Sequence, residues 1–273
     1  MHFDLIQSLG LAGDAARAND DRAGSGDRLA WVIDGATDLG PPGLMGTRGG
    51  AAWLALTADA AFAAAPGASL SQVVAHVFDR VGEAFVAERT REAAGVWEHP
   101  SAAFLAAALD GEALDVAWLA DCVGLLLSDG SIVRLGPQPT VAETEAAREA
   151  GASGITLAAK TRDPALTDRL RAQRNRPERR VLGVDPMGAT QVRYARVPVR
   201  AGDDIVLMSD GFAALIDDYG MTAAEFRDRL HADGLPGLAA TLRATERDDA
   251  ACARFPRFKV SDDATALWLR VSR

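Results

Sequence analysis

Between residues 101 and 135 four apolar runs follow one another with almost nothing between them. "SAAFLAAAL" ends at Asp110-Gly111 and "ALDVAWLAD" follows; "CVGLLLS" ends at Asp129-Gly130 and "SIVRLG" follows. Asp-Gly between apolar runs is a strong hairpin signal, because both residues accept the backbone of a tight turn. Links this short cannot hold a crossover helix, so these strands must pair antiparallel. Upstream, helix follows helix. The chain from Ala51 to about Pro66 is rich in Ala and Leu. In residues 69–93, Val73, Val77, Val81 and Phe85 recur every four positions and give one apolar face. Strands grouped with strands, and helices with helices, argue against a doubly wound parallel sheet.

The remaining apolar runs fit this pattern. Residues 1–18 read as a first strand and turn, and "LAWVIDG", "VLGVDP", "VRYARVPV", "DDIVLMSDG" and "ATALWLRV" as further strands. Residues 221–232 and 237–250 read as two helices. The segment near 137–180 differs: it is polar, and residues 160–180 carry eight Lys or Arg against three acidic residues. Asp163-Pro164 suits a helix N-cap and first helical position. The simplest organisation is one domain with this segment at its periphery.

Three of the strand runs carry a carboxylate at one end. Leu29–Ile33 feed Asp34-Gly35, Ile205–Ser209 feed Asp210-Gly211, and Asp262-Asp263 stand before the last strand. An isolated Asp-Gly is a turn, with Gly211 allowing the chain to turn away. Three carboxylates converging at strand ends would instead repel one another and call for a hard cation. Taken singly, Asp20 and Asp21 read as a solvated acidic turn, and Asp121 equally as a strand-end residue.

The rest of the composition sets bounds. A chain of 273 residues with a net charge of −9 does not favour a general nucleic-acid role. No apolar run is long enough to cross a bilayer, and the first residues lack the pattern of a signal peptide, so a cytoplasmic protein is expected. Two cysteines, Cys122 and Cys252, make neither a disulfide framework nor a cysteine metal cage.

Five stretches, in order and spread over almost the whole chain, resemble the metal-dependent Ser/Thr protein phosphatases of type 2C. "NDDR" (19–22) is similar to that family's Asn-Glu-Asp motif, and "VIDGATD" to its strand ending in Asp-Gly. "LADCVGLLLSDGSIVRL" (119–135) resembles its Gly-Asp-Ser-Arg hairpin, with Asp121 at the aspartate. "AGDDIVLMSDGF" and "SDDATALWLRV" resemble its Ser-Asp-Gly strand and its closing Asp-Asn strand. The Leu-Gly pair of "RRVLGVDP" adds to the likeness.

The resemblance implies an α+β fold, a four-layer α-β-β-α sandwich of two antiparallel sheets flanked by helices, with the site at one end between the sheets. It implies two Mg²⁺ or Mn²⁺ ions, with a third, weaker position. Asp34 would bridge the two ions and the Gly35 carbonyl would join one of them; Asp210 and Asp262 would hold the first, and Asp20 the second with Asp21 close by. Asp121 would match the weaker position. Water activated by the ions would attack phosphorus in line, without a phosphoenzyme. Arg17 is a candidate for the family's phosphate-binding arginine, though shifted by one residue, and reads equally as a surface arginine.

Other positions depart from the family. Ala36 stands where a proton-donating histidine is common, and of the four histidines only His99 stays in reserve. Asp20 is one methylene shorter than the family's glutamate, Ala120 and Val123 replace the Gly and Arg of the hairpin, and Asp263 replaces an asparagine. The basic segment matches the region that forms a flap in the family; a solvated helix is the plainer reading. The implied function is hydrolysis of phosphoserine or phosphothreonine in a phosphorylated protein, with a cognate Ser/Thr kinase as a further partner. A phosphatase of small phosphate esters, and a catalytically weak relative that binds a phosphoprotein, are the alternatives.

Overall fold

A computed structural model describes residues 1–67, 69–138, 164–176, 179–257 and 259–273 of the chain. Strand β1 (His2–Leu11) leads through β2 (Arg22–Ser25) and β3 (Leu29–Gly35) to helices α1 (Gly50–Ala64) and α2 (Leu70–Glu88). The expected meander follows as β4 (Ser101–Asp110), β5 (Ala113–Leu119), β6 (Val123–Ser128) and β7 (Ser131–Leu135). Helix α3 (Pro164–Arg174), the two-residue β8 (Leu182–Gly183), β9 (Arg193–Pro198) and β10 (Asp204–Met208) come next. Helices α4 (Asp210–Asp217) and α5 (Ala223–Asp248) precede the closing strand β11 (Ala264–Ser272).

The strands form two sheets, one in the order β1-β11-β10-β6-β7, the other β2-β3-β4-β5-β9 with β8 on β4. Every ladder is antiparallel. The meander splits between the sheets: β4 and β5 pair in one, β6 and β7 in the other. Alternation along the strands explains the layers. In β3, Ala30 and Val32 face the opposite sheet and, with Leu105 and Leu114 of their own sheet, meet Leu207 and Leu269 there. Trp31 and Ile33 face outward onto Trp53, Phe62, Phe78 and Phe85 of α1 and α2. In the other sheet Val206, Met208 and Trp268 face Phe212, Phe226 and Leu238 of α4 and α5. Phe62, Phe78 and Phe104 are at most 2% exposed, and each such ring withdrawn from water stabilises the fold by about 1.5–3 kcal/mol. The expected four-layer α-β-β-α sandwich is the architecture found.

Local chemistry sets several boundaries. Ser69 and Gln72 form a reciprocal capping box at the start of α2, and Thr222 and Glu225 another at the start of α5. Gly50, at the head of α1, donates its amide to Asp38 Oδ2 at 2.6 Å. The pair of helices expected at 221–232 and 237–250 is found as two helical segments within Ala223–Asp248, meeting at a kink where Gly234 is non-helical (φ 69°). The second helix stops at Glu88, short of residue 93. Strand β2, within and after "NDDR", had no periodic signal of its own. Cys122 and Cys252 are buried free thiols. No helix among the described residues is long and apolar enough to cross a membrane.

The segment near 137–180 falls largely outside the described residues, Asp163 included. Helix α3 is fastened beside the end of β3. Arg171 donates to the Leu39 carbonyl at 2.8 Å and Arg174 to the Thr37 carbonyl at 2.8 Å. The Arg171 guanidinium also lies 4.3 Å from the centre of the Trp97 ring.

Candidate metal centre

Strand phase delivers the carboxylates. Ala30 and Val32 point between the sheets, so Asp34 continues that stripe at the strand's end, where apolar filling stops. In β10, Ile205 and Leu207 take the same phase, Ser209 follows fully buried, and Asp210 opens α4. Ser209 binds the start of β11 twice: its amide donates to the Thr265 carbonyl at 3.0 Å, and its Oγ accepts from the Thr265 amide at 2.9 Å. That pairing seats Asp210 at a helix N-terminus, where the peptide dipoles favour an anion. Asp121 arrives by another route. After β5 the chain turns sharply at Ala120, whose φ of 61° is left-handed backbone that normally favours glycine.

One carboxylate oxygen from each of Asp34, Asp121 and Asp210 lies within 4.8 Å of the others. They share a cleft of about 440 Å³, lined also by Asp20, Gly35, Ala36, Ala102, Ala103, Arg179, Lys259 and Asp262. Ala103 sits opposite Asp34 in the β3–β4 ladder, and its methyl group leaves the space above the carboxylates open.

The charges are strongly frustrated. Burial, then Asp21 and Asp121, hold the Asp34 carboxyl well above the usual range. Burial, with Asp34 and Asp121, does the same to Asp210. Asp121 is raised by burial and by Asp262. Asp20 is pushed up to about 6 by burial, Asp263 and Asp38. Asp21 is pushed up to about 7, mainly by burial, against the Ser209 hydroxyl and with Asp210 adding to the rise. Asp21 is 3% exposed, and neither of its carboxylate oxygens has a hydrogen-bond partner among the described residues. Three carboxylates this close, with a buried fourth beside them, form a donor set that suits hard divalent cations.

The predicted positions fall into place unevenly. Asp121, expected at the additional, weaker metal position, lies with Asp34 and Asp210 in the trio. Asp20, Gly35 and Asp262 line the wall around it. Asp262 is held by Lys259, whose Nζ lies 2.6 Å from its Oδ1. A methyl group on Gly35 would fall 2.7 Å from the Asp20 carbonyl oxygen and 3.0 Å from that of Ala51, so only glycine lets these backbones close on the site. Gly211 works by close approach as well, and not by turning the chain. It lies in the first turn of α4, and a Cβ there would fall 1.9 Å from the Asp263 carbonyl oxygen. Arg17 is on the surface, its side chain 72% exposed and 3.9 Å from Asp14; it does not line the cleft. His99 packs edge-on against Phe85, 5.3 Å between ring centres.

Three residues that sequence reasoning did not assign to the site stand at it. Asp263 accepts the Gly13 and Asp20 amides. Lys259 pairs with Asp262. Arg179 enters the cleft from the basic segment and donates to Ser101 Oγ at 3.0 Å. A position beside a ligand aspartate was the signal for Asp263, and the charge run was the signal for Arg179. Nothing in the irregular loop marked Lys259.

Comparison with known proteins agrees with this fold. A family model described as protein phosphatase 2C matches residues 13–245. No curated protein matches the sequence. Among solved structures, the serine/threonine phosphatase PstP/Ppp of Mycobacterium tuberculosis superposes with a TM-score of 0.62 at 18% identity, covering 100% of both chains. The catalytic domain of PstP in complex with two manganese ions gives 0.58 at 18% identity, covering 100% of this chain and 99% of that one. PppA, described as a key regulatory component of the T6SS in Pseudomonas aeruginosa, gives 0.55 at 17% identity, with 99% and 98% covered. At such identities the likeness is one of fold.

Proposed function

We propose that this chain, which belongs to the protein phosphatase 2C family, is a metal-dependent phosphatase acting on phosphoserine and phosphothreonine in proteins. The observation that carries the reading is the meeting of Asp34, Asp121 and Asp210, from three distant parts of the chain, within 4.8 Å in one open cleft. Asp34 is the central ligand in this reading, with Asp121 and Asp210 beside it, Asp20, Asp262 and the Gly35 carbonyl around it, and Asp21 beneath. The manganese pair bound by PstP supports two Mg²⁺ or Mn²⁺ ions here. Bound ions would polarise phosphoryl oxygens and acidify water.

The chain's own residues position and exclude. Ala36, Ala102 and Ala103 keep the cleft mouth open for a phosphoester. Ala36 carries no proton for a leaving alkoxide, so water or another residue must supply it, or leaving groups of low pKa are preferred. We read residues near 137–180 as a flap-like part of one domain, and a phosphorylated protein, with its Ser/Thr kinase, as the partner.

The test is hydrolysis of p-nitrophenyl phosphate by purified protein, first with EDTA and then with excess Mn²⁺, followed by phosphopeptides against small phosphate esters. Metal-restored turnover with preference for phosphopeptides supports the reading; preference for small esters moves the substrate class. One observation favours a catalytically weak, phosphoprotein-binding relative: Asp262 is already neutralised by Lys259. Metal binding by calorimetry without turnover of any substrate would select that alternative.

A further inference from the structure

We propose that Arg179 binds the phosphoryl group of the substrate. The inference rests on the phosphatase reading above and assigns a residue to its anionic substrate. A phosphomonoester entering this cleft meets a floor of carboxylates in a protein of net charge −9. Beside the ions that the phosphatase reading places on that floor, a fixed cation in the wall would hold and orient the dianion. Arg179, Arg180 and Lys259 are the cationic side chains that line the cleft among the described residues. Lys259 is engaged by Asp262 at 2.6 Å, and Arg180 is exposed at the rim.

Arg179 is half-buried and held on one side only. Its Nη2 donates to Ser101 Oγ at 3.0 Å, and Ser101, 2% exposed at the head of β4, is rigidly placed. Among the described residues, that hydroxyl is its one hydrogen-bond partner. A guanidinium carries five N–H donors in a planar fork. Among the described residues, four of them remain for an oxyanion. Other arginines nearby are committed: Arg171 and Arg174 spend theirs on the carbonyls of Leu39 and Thr37, and Arg243 on Glu246 and the Asp262 carbonyl. Arg179 lines the same cleft as Asp34, Asp121 and Asp210. A guanidinium fork with free donors at that spot matches two oxygens of a phosphoryl group.

The experiment measures inorganic phosphate binding by calorimetry at saturating Mn²⁺, beside Mn²⁺ affinity and p-nitrophenyl phosphate kinetics. Arg179→Gln is expected to weaken phosphate by about 10- to 100-fold and to raise KM correspondingly. Mn²⁺ affinity should be retained or tightened. Arg179→Lys should recover part of the loss. Ser101→Ala, which frees the guanidinium without removing it, should cost a few-fold and serves if Arg179→Gln does not fold. Unchanged phosphate affinity in both Arg179→Gln and Ser101→Ala overturns the assignment. So does a loss that only follows loss of Mn²⁺, or one seen in Arg17→Ala instead. If wild type turns over substrate but Arg179→Gln binds phosphate normally, the assignment alone fails. If wild type neither binds phosphate nor turns over substrate, both readings fail.

Discussion

The carboxylate of Asp263 accepts the backbone amide of Asp20 at 2.7 Å. Its other oxygen accepts the amide of Gly13 at 2.8 Å. The entry to the last strand thereby holds the loop that brings Asp20 to the cleft and Asp21 beneath it. Asp263→Ala leaves two partly buried amides without partners, which costs about 1–3 kcal/mol, and frees Asp20. Mn²⁺ affinity should fall by about 10- to 100-fold, while Asp263→Asn, which keeps one acceptor oxygen, should lose less. Calorimetry and thermal melts on the two variants check this.

Asp34→Asn and Asp210→Asn each remove one charge from the repelling trio. Turnover with Mn²⁺ should fall by at least about 100-fold, yet the metal-free protein should melt at a higher temperature than wild type, because burial and mutual repulsion hold both carboxyls well above their usual range. A lower melting temperature in EDTA would show that these carboxylates are not frustrated in the metal-free fold.

The pH dependence of stability has two limbs. Asp20 and Asp21 rise from 3.8 to about 6 and about 7 on folding. The folded state therefore takes up protons, and this contribution is fully present below pH 3.8 and lost as pH rises through 6 and 7. Asp249 runs the other way. Burial opposes its ionisation, but the amides of Arg254, Phe255 and Ala253 and the Arg257 guanidinium lower it to about 2. Its stabilisation is present above pH 3.8 and lost as pH falls through 2. In EDTA the melting temperature should therefore fall from pH 4 to pH 7. Mn²⁺, competing with those protons, should raise it more at pH 8 than at pH 5.

Lys259 and Asp262 form an ion pair that a metal must displace. The lysine side chain is 42% exposed, so the pair is partly screened. Lys259→Ala should tighten Mn²⁺ by no more than about fivefold. A weaker Mn²⁺ affinity in this variant would mean that the ammonium positions Asp262 and does not compete for it.

Two backbone positions near the site should respond in opposite directions. Gly211→Ala forces a methyl group against the Asp263 carbonyl oxygen. Overpacking of about 1–3 kcal/mol should outweigh the gain of about 1 kcal/mol in helix propensity. Ala120→Gly relieves left-handed backbone at φ 61°, and should stabilise by about 1 kcal/mol. Denaturant midpoints of the two variants decide both.

Much of this protein was legible in its sequence because the information is local. A period of two places Val32 and Asp34 on one face of β3 and Ile205 and Leu207 on one face of β10. Short Asp-Gly links made β4 to β7 antiparallel, and the order of the aspartate motifs pointed to one carboxylate site. What remained depends on how distant segments pack. Asp121 joins Asp34 and Asp210 because β5 and β6 lie in opposite sheets, and the turn between them opens into the gap. Gly211 must be glycine because Asp263, far along the chain, crosses its helix turn. Arg17 lies near the motif in sequence but on the surface in space, while Arg179, from a segment that read as a charge run, lines the cleft and reaches Ser101 at the head of β4. Spacing along a chain sets the face on which a side chain emerges; only the docking of sheets, loops and helices sets which side chains then share a volume.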